Sequence, residues 1–140
     1  MYKFSKRSES ILKDLHPYLK LILNKAIQIT DFSIIEGFRG QERQTMLFAQ
    51  GKTKVNWPNS KHNRTLDKQF ESIEFNLCDA VDIAPYPSLY SDPEQIAYLN
   101  GVITGVALDL GIKLRTGADW NRDGELNNGP KDFFDPLHIE

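Results

Sequence analysis

The chain has 140 residues, of which 40% are hydrophobic and 26% are charged, and its mean hydropathy is −0.45. This composition is typical of one soluble globular domain over residues 1–140, and no apolar run approaches the ~20 residues that a membrane-spanning helix needs. We therefore expect no membrane insertion. Cys78 is the only cysteine, which excludes an internal disulfide and a cysteine-rich zinc site.

The net charge of −2 hides an uneven distribution along the chain. Residues 1–70 contain 13 Lys and Arg against 6 Asp and Glu, whereas residues 71–140 contain 4 against 13. A basic half can attract an anionic polymer, although halves that intermix on folding leave no such polarity. Nucleic acid is not an expected partner, because there is no basic run and the pI is near 5.9.

Hydrophobic spacing, caps and breakers predict the elements in chain order. We expect helices over residues 8–15 and 17–27, a strand over 32–38, a helix over 42–50, a polar loop over 52–66, a strand over 79–84, a helix over 93–110, a strand over 112–115, an acidic loop over 117–131 and a strand over 136–140. The helix after Asp92 is the clearest, because Asp is a typical N-cap and Pro93 suits the first turn. Since helices come first and the short strands are scattered, we expect an α+β fold with a small, mostly antiparallel sheet and one long helix packed on it.

Three side chains occur in contexts that suit neither a core nor an ordinary surface. His62 lies in a polar loop, His138 lies near residue 140, and Asp82 interrupts an otherwise apolar strand. A carboxylate in such a strand is costly to bury unless it is paired or bound to a metal. Two imidazoles and one carboxylate are a known catalytic zinc set. A single His is more often a surface or hydrogen-bonded residue, however, and no HExxH helix is present, so spacing alone does not establish a metal site.

Three short motifs resemble a known pattern of metal ligands. Ser60-x-His62, Ala80-Val81-Asp82 and Asp135-x-x-His138 are similar to the SxH, AxD and (D/E)xxH motifs of the VanY-type zinc D,D-carboxypeptidases. Within that group the chain most resembles the phage endolysins that are L-alanyl-D-glutamate peptidases. Further agreement lies at residues 15–17, 36–39, 42–44, 57–63, 82–87 and 117–120. The resemblance spans almost the whole chain and implies a hedgehog/DD-peptidase-like fold.

The resemblance implies roles for individual residues. His62, Asp82 and His138 match the three zinc ligands of the family. Asp135 matches the general base, which removes a proton from the attacking water and later protonates the leaving amine. Many relatives have Glu at this position, and Glu140 is an alternative base because it lies on the same strand face as His138.

The resemblance also implies residues that surround the zinc ligands. Arg39 matches an arginine near the scissile bond that neutralises the oxyanion or holds a substrate carboxylate. Gln44 and Ser60 match positions that support the cleft or bind substrate. The spacer between His62 and Asp82 is longer than in the family pattern, which indicates an insertion over residues 64–78 within the domain.

The acidic loop allows two interpretations. Its oxygen-bearing residues recur with the spacing of positions 1, 3 and 5 of a calcium loop, and Gly124 stands at position 6. The candidate calcium ligands are Asp119, Asn121, Asp123 and Glu125. Position 12 is Pro130 instead of the usual Glu, and a turn rich in Asp, Asn and Gly explains the same residues without an ion.

Together, the residues and the resemblance predict a zinc-dependent endopeptidase that hydrolyses the L-alanyl-D-glutamate bond of bacterial peptidoglycan with a metal-activated water. We expect no secretory signal, because the basic residues 1–7 are not followed by an apolar stretch. We also expect a monomer. Such a protein accumulates in the host cytoplasm and reaches the wall after holin-type release. The alternatives are a D-alanyl-D-alanine carboxypeptidase, a non-catalytic zinc-binding module of the same fold, and a calcium-dependent structural protein of a virion.

Overall fold

Four helices and four strands form the part of the chain that the structure, a computed structural model, describes: residues 1–70, 77–125 and 135–140. In chain order they are α1 (Lys6–Leu12), α2 (Pro17–Ala26), β1 (Phe32–Glu36), α3 (Gln41–Ala49), β2 (Val81–Pro85), α4 (Pro93–Asp109), β3 (Thr116–Gly117) and β4 (Asp135–Ile139). No helix within these ranges is long and apolar enough to cross a membrane. The fold is α+β, as the sequence predicted.

Side-chain caps determine where the helices begin. The Asp92 carboxylate accepts the first backbone N–H groups of α4, which confirms the predicted N-cap. The His16 side chain caps α2 by accepting the N–H of Tyr18 at 3.0 Å. The prediction of a first helix over residues 8–15 is wrong by about one turn. Ser5 caps α1 earlier, and Leu15 instead forms an isolated parallel bridge with Cys78.

The four strands form one antiparallel sheet in the order β1-β2-β4-β3. The expected strand over residues 112–115 is wrong, because the last strand before β4 begins at Thr116. Ile112 and Leu114 pack against the core, and their alternation with polar residues resembles the pattern of a half-buried strand. Arg115 still exchanges two backbone hydrogen bonds with Glu140, at 2.8 and 2.9 Å, next to the β3–β4 ladder.

Helices α1, α2 and α4 pack on one face of the sheet, and the other face carries polar side chains. Helix α4 packs against α2, β2 and β4, and α1 packs against β1. Val81 and Ile83 of β2 lie in this core with at most 1% exposure. Asp82, between them, therefore points to the opposite face.

The described residues of the expected insertion, 64–70 and 77–78, lie against the N-terminal helices. His16 Nε2 lies 2.9 Å from Asp67 Oδ2, and the backbone N–H of Cys78 donates to the carbonyl of Asp14 at 3.1 Å. Residues 71–76 of the insertion and residues 126–131 of the expected acidic loop lie outside the described residues.

Candidate active site

The three candidate metal ligands meet although they come from separate parts of the chain. Asp82 on β2 and His138 on β4 are directly paired across the sheet, and His62 reaches them from the loop between α3 and β2. Asp82 Oδ1 lies 3.1 Å from His138 Nδ1 and 3.5 Å from His62 Nε2, and the two imidazole nitrogens are 3.3 Å apart. Among the described residues this is the one group of three or more His, Cys, Asp or Glu whose ligand atoms converge in this way.

The spacing of these atoms fits a tetrahedral metal ion. Zinc–ligand distances of about 2.0–2.2 Å place two ligand atoms of a tetrahedron about 3.3–3.6 Å apart. The observed separations of 3.1, 3.3 and 3.5 Å are close to that range. Two nitrogens and one carboxylate oxygen are also donors that zinc accepts, and a fourth position remains for water.

Asp82 is held in its ionised form. Burial by itself would raise the pKa of this carboxyl group, but hydrogen bonds from His138 and His62 outweigh it and hold the pKa well below the usual range for Asp. At neutral pH the carboxylate is therefore ready to act as a ligand.

His62 is oriented by the backbone around it. Its Nδ1 donates to the carbonyl oxygen of Gly37 at 2.8 Å, which leaves Nε2 directed at Asp82 and His138. A Cβ on Gly37 would lie 2.7 Å from a Leu15 methyl group, so glycine allows the backbone here to pack closely against Leu15. The sequence did not predict the hydrogen bond between Gly37 and His62, although residues 36–39 agree with the family that the chain resembles.

Ser60 and Arg39 hold the loop of His62 in place from either side. Ser60 Oγ accepts the His62 N–H at 3.2 Å, and the Arg39 N–H donates to the His62 carbonyl at 2.8 Å. Ser60 also lines the cleft above the ligands, where it was expected to support or bind substrate.

Arg39 is anchored beside the ligand cluster. Its Nε donates to Glu36 Oε1 at 2.6 Å, its Nη1 donates to Gln44 Oε1 at 3.0 Å, and its Nη2 lies 3.8 Å from Asp82 Oδ2. Gln44 was expected to support the cleft or contact substrate, but its side chain has no exposed surface. Gln44 therefore supports Arg39 and Asn63 from within the core.

Asp135 lies at the start of β4 and lines the same cleft as the three ligands. Burial and the nearby negative charge of Asp82 raise the pKa of its carboxyl group, and the charges of His138 and His62 oppose that shift. The alternative base, Glu140, also lines the cleft, but its carboxylate forms an ion pair with Arg115. Asp135 is thus the carboxylate that shares its electrostatic surroundings with the cluster.

The cleft has a volume of about 500 Å³, and one of its walls contains an aromatic residue that the sequence did not assign to the site. The Trp120 ring packs against the His138 ring with a centroid distance of 5.4 Å, and the Arg115 guanidinium lies 5.1 Å from the Trp120 centroid. In the sequence, Trp120 is indicated only by the agreement of residues 117–120 with the family that the chain resembles.

The expected calcium loop is closed by its own hydrogen bonds. Asp119 accepts the N–H groups of Asp123 and Gly124 at 3.1 and 3.0 Å, and Asp123 accepts the N–H of Glu125 at 2.8 Å. The Asn121 amide donates to Asp123 at 2.8 Å. Calcium binding by this loop stays a prediction from the sequence.

A His-Asp-His cluster at the floor of a cleft, with a carboxylate of raised pKa beside it, is typical of metal-dependent hydrolases. A sequence profile described as "Phage L-alanyl-D-glutamate peptidase" matches residues 1–140, and the chain belongs to this family. The L-alanyl-D-glutamate peptidase of Escherichia phage T5 is 29% identical over 145 residues, which cover 99% of this chain and 97% of that protein.

The fold is also similar to that of a solved structure, the crystal structure of the Serratia marcescens L-Ala D-Glu endopeptidase ChiX. The TM-score is 0.70 at 20% identity, over 99% of this chain and 90% of that one. Family membership confirms the predicted enzyme, a peptidoglycan endopeptidase that acts on the bacterial cell wall. It supports this prediction over the carboxypeptidase, binding-module and virion alternatives.

Proposed function

We propose that this chain hydrolyses the L-alanyl-D-glutamate bond of peptidoglycan stem peptides with a zinc ion held by His62, Asp82 and His138. The observation that carries the proposal is the convergence of one oxygen and two nitrogen atoms, 3.1–3.5 Å apart, on the floor of a cleft. Zinc in such a set lowers the pKa of water to about 7 and polarises the scissile carbonyl group.

Asp135 is the proposed general base. In its ionised form it accepts a proton from the attacking water, and it then delivers that proton to the leaving amine of D-glutamate. Its place in the same cleft as His62, Asp82 and His138 supports this role. Glu140 does not fill this role, because its carboxylate is paired with Arg115.

Arg39 is the proposed electrostatic partner of the reaction. Glu36 and Gln44 fix its guanidinium group, so that its positive charge lies beside Asp82 and at the surface of the cleft. A fixed cation there stabilises negative charge that develops on the scissile carbonyl oxygen. Ser60 supports the same site by holding the backbone of His62.

The setting that we propose follows from the family. The chain acts as a monomeric endolysin that accumulates in the host cytoplasm and reaches the wall after holin-type release. The basic first half of the sequence suits an anionic wall.

Digestion of purified peptidoglycan tests the proposal. The zinc-loaded wild type, the wild type with a chelator, and Asp135→Ala are compared, and new termini are identified by mass spectrometry. We expect new L-alanine carboxyl ends and D-glutamate amino ends that disappear with the chelator and with the substitution. Release of D-alanine would instead indicate a carboxypeptidase, and cleavage that persists in the chelator would exclude the metal mechanism.

A further inference from the structure

One wall of the cleft comes from a segment that lacks acidic residues. Residues 43–66 contain five cationic residues and no Asp or Glu: Arg43, Lys52, Lys54, Lys61 and Arg64. The three lysines of this segment all line the cleft that contains the His-Asp-His cluster. The wall is therefore strongly cationic, although the chain as a whole has a net charge of −2.

The other cationic residues of the cleft have their charges compensated. Arg39 is paired with Glu36, and Arg115 is paired with Glu140. Within residues 1–70, 77–125 and 135–140, Lys52 and Lys61 form no ion pair. Their charges are available to an anionic ligand that enters the cleft.

Lys61 is the better placed of the two lysines. It immediately precedes the ligand His62 and is half-buried, whereas Lys52 is exposed at the cleft edge. The carbonyl group of Lys61 accepts the N–H of Asp79 at 2.9 Å, so its backbone is held close to β2. Lys61 thus lines the cleft directly beside a proposed metal ligand, and its half-buried side chain has less conformational freedom than that of an exposed lysine.

The substrate of the proposed function supplies a matching anion. A glutamate residue that is acylated on its nitrogen and extended through one carboxyl group retains a second, free carboxylate. That carboxylate is ionised at neutral pH and lies close to the scissile nitrogen. A substrate with alanine or an amidated glutamate after the scissile bond has no such charge.

We propose that Lys61, assisted by Lys52, forms a carboxylate subsite that recognises the free carboxylate of the D-glutamate residue after the scissile bond. The inference rests on the proposed peptidase function and specifies how the enzyme selects its substrate. The ammonium groups form charge-assisted hydrogen bonds to the carboxylate, and these are stronger than the bonds that a neutral carboxamide accepts.

The experiment compares two synthetic peptides that differ at one group. Both contain an L-alanyl-D-glutamyl bond, and in the second peptide the free carboxylate is converted to the carboxamide. The zinc-loaded wild type is expected to cleave the acidic peptide with a kcat/KM about tenfold or more above that of the amide. Lys61→Gln is expected to abolish most of this preference by raising KM for the acidic peptide, and Lys61→Arg is expected to restore it.

A matched control separates the subsite from a general effect of charge. Lys13→Gln removes one positive charge at an exposed position away from the cleft, and it is expected to retain the wild-type preference. Zinc content is measured for every variant. Equal cleavage of the two peptides by the wild type, or an unchanged preference in the double variant Lys52→Gln/Lys61→Gln, would overturn the subsite alone. Cleavage of neither peptide by the wild type would overturn the proposed function and the subsite with it.

Discussion

Two regions of the chain are rich in side chains that bind metals, and they use those side chains differently. The His62, Asp82 and His138 donors come from a loop and two strands and converge on one point. In the loop over residues 119–125, by contrast, the carboxylate oxygens accept backbone N–H groups of residues two to five positions further along the chain. The first arrangement depends on tertiary structure, whereas the second is local.

The difference separates a candidate metal centre from a loop whose carboxylates are used in local hydrogen bonds. The loop closes on itself because Asp119 and Asp123 satisfy nearby N–H groups, as Asx turns do without any ion. In the cluster, by contrast, a carboxylate and two imidazoles from distant parts of the chain face one another. The Gly37 carbonyl accepts the Nδ1–H of His62 and so fixes its tautomer. Such a group of ligand atoms is stabilised when a metal replaces the contacts between them.

The largest expected effect is the loss of the metal. His62→Ala and His138→Ala are each expected to abolish stoichiometric zinc binding and to reduce peptidoglycan cleavage to background, because a two-ligand site holds zinc weakly. Zinc content after dialysis and competition with a chromogenic chelator measure the first effect. Asn121→Ala, in the loop, is the matched control and is expected to retain full zinc. Full zinc content in His62→Ala would contradict the assignment.

The second effect is on the chemistry alone. Asp135→Asn is expected to lower kcat by about 10²–10⁴-fold while zinc content stays unchanged, because the general base is lost but the ligands remain. Glu140→Gln is the control for the alternative base and is expected to retain activity with zinc bound. The reverse result, an active Asp135→Asn and an inactive Glu140→Gln, would reassign the base.

The pH dependence follows from the raised pKa of Asp135. In the metal-free protein, the Asp135 carboxyl group is therefore expected to lose its proton at a pH above the ordinary Asp value of about 4. A raised pKa in the folded state also means that stability is lost as pH rises through it. Metal-free Asp135→Asn is therefore expected to melt at a higher temperature than the metal-free wild type at pH 7, which calorimetry measures.

A third, smaller effect tests how the sheet positions Asp135. A Cβ on Gly117 would lie 1.8 Å from the Asp135 carbonyl oxygen, so Gly117→Ala must displace the start of β4. We expect a loss of about a hundredfold in activity with most of the zinc retained. Gly105→Ala is the control, because its Cβ meets nothing within 4 Å in α4. Wild-type activity in Gly117→Ala would show that this contact does not position the base.

The smallest effect is expected in the loop. Asp119→Ala removes the acceptor of two backbone N–H groups and is expected to lower the free energy of unfolding by about 1–2 kcal/mol, with zinc content unchanged. Denaturant unfolding with and without calcium measures it. The calcium prediction requires that calcium stabilise the wild type and leave Asp119→Ala unaffected. A wild type that calcium leaves unchanged would identify the loop as a turn closed by its own hydrogen bonds.

Much of the fold was predictable where local signals decide it. The Asp92 cap, Pro93 and the apolar spacing set the bounds of α4, and alternation around Asp82 predicted β2. The prediction failed where distant contacts decide, as at residues 112–115. Their apolar alternation results from packing on the core, and the short β3 pairs with β4 only from Thr116 onward.

The candidate ligand set and the candidate base come from the resemblance and not from spacing, and the structure brings the three candidate ligands together. No local sequence pattern indicates that the Gly37 carbonyl orients His62 or that Trp120 packs on His138. Nor does one indicate that Gln44 is buried next to Arg39. The first two contacts join residues that are far apart in the sequence, and all three depend on how the folded chain packs.

The most direct test of the account is the position of zinc in a crystal of the zinc-loaded protein, located by anomalous diffraction at the zinc absorption edge. The account predicts one strong peak about 2.0–2.2 Å from His62 Nε2, Asp82 Oδ1 and His138 Nδ1. A peak at the 119–125 loop instead, or no peak in a protein that cleaves peptidoglycan, would contradict it.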